Sequence, residues 1–227
     1  MTFEYPRLAE SLSRRTLTNG MEIVVVHKPY HAKHYAFFAT RYGGMDTRFC
    51  HGGKWYDTPA GIAHYLEHKL FDMPGGRDIS AEFASLGASV NAFTSFDMTA
   101  YYFSCTEHFE ENLRLLLEFV TTPYFTEESV AKEQGIIGQE IGMYDDNADW
   151  QLYISLMEAM YFHHPIRVSV AGSVESISHI DADMLYACHR AFYTPSNMIL
   201  CVVGDVEPQE VLDIAQGSTP SEALPAP

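Results

Sequence analysis

Positive charge is what this sequence has least of: 14 lysines and arginines stand against 30 aspartates and glutamates, a formal net charge of −16 over 227 residues. That balance argues against binding to nucleic acid or to an anionic membrane surface. Cysteine is scarce as well. The four present, Cys50, Cys105, Cys188 and Cys201, show no C-x-x-C spacing, so neither a disulfide framework nor a zinc knuckle is suggested and the thiols read as reduced. Long apolar runs are missing: nothing approaches the roughly 20 residues that span a bilayer. Residues 1–6 have neither a basic n-region nor an apolar h-region. The expectation is a cytoplasmic protein with no membrane partner.

What the chain does have is 47% hydrophobic residues without low-complexity runs, enough for a packed core in one large domain or two small ones. Asn19-Gly20, between extended, β-branched segments of residues 15–26, is a hairpin signal. A strand is expected over 34–42, and then a loop over 45–59 that holds Gly52, Gly53, Pro59 and an unremarkable His51. A short helix over 79–86 precedes two extended runs, 89–94 and 98–105, that read as a hairpin. Phe109, Leu113, Leu116, Leu117 and Val120 recur at helical spacing, so 107–120 reads as an amphipathic helix capped by Thr106. Helices are expected over 150–161, 173–180 and 181–193, and the wholly apolar 198–203 reads as a central strand. His163 and His164, before Pro165, read as structural. A last helix from Pro208 is expected to stop near Ile214, before a linker-like tail. These elements predict an α+β domain over residues 1–210, a mixed, mostly antiparallel sheet with helices packed mainly on one face, and leave 211–227 as incomplete helix and tail.

The chemistry concentrates in residues 61–71. In a helix His64 and His68, four apart, project from one face a turn apart, so that two imidazoles can share one tetrahedral ion. Glu67 flanks that face, in reach of a water on the ion without being a ligand. The order is the inverted zinc motif H-x-x-E-H, which needs a third ligand. Without one it describes a surface helix with a histidine pair. A second helical pattern, residues 126–141, offers candidates. Thr126 can cap it, and Glu127 and Glu128 suit the positive end of its dipole. Glu133 and Glu140 are two turns apart on a face shared with Ile136 and Ile137, so both border a buried stripe where an unpaired charge is costly. A metal and a metal-bound histidine would offset that cost. Two solvated glutamates are the plainer reading.

Taken together, His64-x-x-Glu67-His68 and Glu133-x6-Glu140 resemble the insulinase/pitrilysin family of zinc metallopeptidases. The likeness runs over roughly residues 12–210, through Tyr42-Gly43-Gly44, Gly87 to Thr94, Glu140 to Asn147, His164-Pro165, Ala171-Gly172 and Val202 to Asp205. The resemblance implies one Zn2+ per chain held by His64, His68 and Glu140. The interval from His68 to Glu140 is shorter than in better-known members, which leaves Glu133 and Asp145 as alternative third ligands. It implies Glu67 as general base and Glu133 as hydrogen-bond partner of a ligand histidine. Asn91, Ala92 and Phe93 would lie on an edge strand that the substrate peptide joins. It implies one half of a clam-shell peptidase, the second homologous half lying in the same full-length chain or in a separate subunit. The expected function is hydrolysis of peptides or small unfolded polypeptides; a non-catalytic scaffold or partner subunit of the same fold is the alternative. A structural zinc would normally be closed by four protein ligands, and three are evident.

Overall fold

The computed structural model describes residues 1–8 and 10–220. Strands β1 (Thr2–Tyr5), β2 (Glu10–Thr16), β3 (Glu22–His27) and β4 (His34–Thr40) open the chain. A small hairpin, β5 (Arg48–His51) and β6 (Lys54–Asp57), leads into α1 (Ile62–Lys69) and α2 (Ile79–Ser85). After β7 (Ser89–Thr94) and β8 (Thr99–Cys105) come α3 (Phe109–Thr121), α4 (Glu127–Asp145), α5 (Ala148–Met160), α6 (Val174–Ile177) and α7 (Ala182–Phe192). β9 (Met198–Gly204) and α8 (Pro208–Ser218) close it.

Seven strands make one sheet in the order β1-β2-β3-β9-β4-β8-β7, with β5 and β6 apart. Every pairing in the large sheet is antiparallel except β3 with β9. β9 thus sits between two strands, as its unbroken apolar sequence requires. The Asn19-Gly20 turn is pinned by Met21 N–H donating to Asn19 Oδ1 at 3.1 Å, with Gly20 at φ 91. On one face of the sheet Ile23, Val25, Phe38, Phe103 and Leu200 join Leu113, Leu116 and Val120 of α3 in a single core. Each such side chain contributes about 1.5–3 kcal/mol through burial. The architecture is the expected α+β one, a mostly antiparallel mixed sheet with its helices mainly on one side.

The details depart in several places. Residues 45–59 contain the β5–β6 hairpin rather than a plain loop, and β1 adds an outer strand that no sequence pattern suggested. α3 starts after His108, which takes a left-handed conformation at φ 54, and not from Thr106. α4 continues to Asp145. α8 does not stop at Ile214 but runs to Ser218, because Val211, Ile214 and Ala215 make a buried stripe. Residues 221–227 of the expected tail lie outside the described residues. Among those described, no helix is long and apolar enough to cross a membrane.

Candidate metal centre

Two close backbone contacts fix the start of α1. Gly61 has φ 93, and a Cβ there would come 2.6 Å from the Ala171 carbonyl oxygen; at Gly172, φ 73, a Cβ would come 2.4 Å from that of Ala60. Only glycine lets these segments meet. Ser176 Oγ donates to the Ala60 carbonyl at 2.8 Å, adding a polar tie. Ile62, Ala63, Tyr65 and Leu66 bury one side of α1. The Tyr65 hydroxyl donates to the Val130 carbonyl, which sets α1 against α4. α4 itself begins as the sequence suggests, with Thr126 and Ser129 closing a capping box.

That packing brings the separated polar residues together. His64 Nε2 lies 3.5 Å from Glu140 Oε1, and His68 Nε2 lies 3.3 Å from Glu140 Oε2. One ligand atom from each of these three residues lies within 4.8 Å of the others. Glu133 Oε1 instead meets His68 Nδ1, at 3.0 Å, on the far side of the ring. Asp145, at the end of α4, accepts from Gln151 Nε2. Of the three carboxylates that sequence left open, Glu140 is therefore the one that faces both Nε2 atoms. Glu67 is buried beside them, its Oε2 accepting from Thr94 Oγ1 at 2.6 Å.

Three carboxylates around two imidazoles create a strong demand for positive charge. Hydrogen bonds from His64 and then His68 hold Glu140 well below the usual carboxylate range, and the His68 bond lowers Glu133. Burial opposes a charge on His68, yet its bonds to Glu133 and Glu140 raise it to about 9. Burial pushes Glu67 up, against the pull of the Thr94 hydrogen bond. Two imidazole nitrogens and one carboxylate are the donor set of an open zinc site, and a dication would answer the same demand. The residues present fit such an ion.

Among the described residues β7 is the last strand of the sheet, so one of its edges pairs with no other strand. Ala92 N–H donates to Asn91 Oδ1 at 2.8 Å, and the exposed Phe93 ring lies 6.0 Å from that of Phe37. Thr94 links this strand directly to Glu67. Next to His64 opens a cleft of about 430 Å³ whose walls include Thr94, Phe96, Tyr144, Trp150 and Tyr153. Sequence reading assigned no role to Thr94, Tyr144 or the aromatic wall. Tyr144 had a local signal, standing four residues after Glu140, whose Oε1 its hydroxyl meets at 2.8 Å.

An α+β domain in which a two-histidine helix meets a glutamate-bearing helix presents the donor set of an open zinc centre. Residues 49–173 match the model of insulinase, peptidase family M16, and residues 179–219 match that of the M16 inactive domain. The chain belongs to peptidase family M16. It is 52% identical over 211 residues to the uncharacterized zinc protease YmfH of Bacillus subtilis, covering 92% of this chain and 49% of that protein. The uncharacterized zinc protease YmxG of the same organism is 28% identical over 209 residues, again with 49% of its length covered. A crystal structure of an M16-like peptidase from Alicyclobacillus acidocaldarius superposes with a TM-score of 0.90 at 42% identity, covering 95% of this chain and 50% of that one. The chain thus spans about half the length of the relatives it matches.

Proposed function

We propose that this chain is the metal-carrying half of a zinc peptidase that hydrolyses peptides or small unfolded polypeptides, with one zinc held by His64, His68 and Glu140. The observation that carries the reading is the convergence of those three side chains from α1 and α4, with Glu67 beside them. Zinc bound there would act as a Lewis acid and lower the pKa of water towards about 7. Glu67, with one oxygen tied to Thr94, keeps the other to take a proton from the attacking water and return it to the leaving amine. Glu133 holds the His68 ring by Nδ1 and so aims Nε2 inward. The open edge of β7 receives the peptide as an added strand along Asn91, Ala92 and Phe93. The aromatic cleft suits an apolar side chain next to the bond cleaved. Full activity requires a second homologous half-domain, supplied by the same full-length chain or by a separate subunit. The free thiols fit a reducing compartment such as the cytoplasm.

The inactive-domain match over residues 179–219 favours a second reading, a non-catalytic partner subunit. Zinc content and peptide hydrolysis of the wild type, with one variant beside it, separate the two. Glu67→Gln should keep one zinc per chain while peptide hydrolysis by the two-half assembly drops about 10²-fold or more. Unchanged hydrolysis rules out Glu67 as the base, and a zinc-loaded wild-type assembly that cleaves no peptide establishes the scaffold.

A further inference from the structure

Helix α5 is built to be covered, and the described residues do not cover it. Trp150, Ile154 and Met157, at i, i+4 and i+7, turn a half-buried stripe towards the domain, while Leu152, Leu156 and Met160, at i, i+4 and i+8, make a second stripe pointing away. A helix that is apolar on opposite sides is normally buried. Yet no residue of α5 is: Leu152 is 70% exposed, Met160 62% and Leu156 49%, and Phe162 just beyond is 80% exposed. Scattered exposed apolar residues need no explanation, but these are not scattered. Of the 20 large hydrophobic side chains exposed among the described residues, 9 lie between Ile136 and Val168. By contrast α3 buries Leu113, Leu116, Leu117 and Val120 and turns Glu110, Glu111, Arg114 and Glu118 outward.

We propose that the outward stripe of α5, extended by Phe162, is the surface on which the half of the protein that its relatives possess beyond this chain docks. The occupant follows from length: about half of each matched relative and solved structure has no counterpart here. Its chemistry follows from charge. No lysine or arginine occurs between Lys132 and Arg167, whereas Asp145 and Asp146 stand just before α5 and Asp149 shares the face of Leu152 and Leu156. The docking face is apolar with a basic rim, and an anionic lipid surface is repelled. Because Trp150 and Tyr153 also wall the cleft beside His64, docking fixes the cleft from behind. The inference rests on the two-half reading above but not on catalysis.

The test compares hydrogen–deuterium exchange of α5 in this 227-residue chain and in a protein of the relatives' full length that contains it. Exchange over residues 148–160 should slow at least about tenfold in the longer protein. There, Leu152→Asp with Leu156→Asp should abolish that protection while α3 stays protected and zinc content is unchanged, which separates lost docking from misfolding. Equal α5 exchange in the two proteins overturns the proposal. So does protection that survives the double variant, or a short chain that dimerises at micromolar concentration through α5, since a second copy would then be the occupant. Absence of zinc would sink the peptidase reading without altering the exchange pattern.

Discussion

Glu133 and Glu140 are the same residue type on one face of one helix, and the fold gives them different tasks. Glu140 meets both Nε2 atoms, while Glu133 meets only His68 Nδ1. Removing the second contact's charge should weaken the metal without displacing it. Glu133→Gln is expected to lower zinc affinity about 10–100-fold, measured by chelator competition, with the fold intact; wild-type affinity would contradict the assignment. The histidine pair and Glu67 were legible in sequence because their spacing needs only a helix. The preference for Glu140 over Glu133 and Asp145 came from the family resemblance alone, because the choice depends on how α1 crosses α4, which local periodicity does not encode. Thr94 was hidden for the same reason: its hydroxyl reaches Glu67 across a strand–helix contact.

Among the elements, α7 is tied to α3 by the buried His189, whose Nε2 lies 3.0 Å from the Val120 carbonyl. Burial lowers His189 to about 4 from 6.5. Between those values the unfolded chain takes up a proton that the folded chain refuses. Its contribution is therefore complete above pH 6.5 and shrinks as pH falls towards 4, by about 3 kcal/mol in all. Urea unfolding of the wild type should show this loss, and His189→Gln should flatten it; identical pH profiles would contradict it. The loop that braces α1 makes a second case. Gly172→Ala should destabilise the fold by on the order of 1–3 kcal/mol from backbone strain, before the clash with Ala60 is added, and an unchanged urea midpoint would refute that. Sequence revealed the large helices and β9 through periodicity and apolar runs. It did not reveal β1, four exposed residues with no buried partner face, or the β3–β9 pairing, which joins Glu22 to Ile199. The Gly52-Gly53 turn of the β5–β6 hairpin was in plain view, but the strands either side are too short to show alternation.

At the scale of the molecule, the sequence carried the family and the fold class, since its motifs follow the family order over most of the chain. The chain spans about half the length of the relatives it matches, and the proposed docking of the remainder on α5 belongs to this scale. The account stands or falls on a shared metal point between α1 and α4. X-ray absorption on the zinc-replete protein, with metal analysis of His68→Ala and Glu140→Ala, tests it most directly. The predicted result is one zinc per chain bound by two imidazole nitrogens, one carboxylate and solvent, with zinc lost or greatly weakened in both variants. Zinc held undiminished after either substitution, or a folded wild-type chain that takes up none, would contradict it.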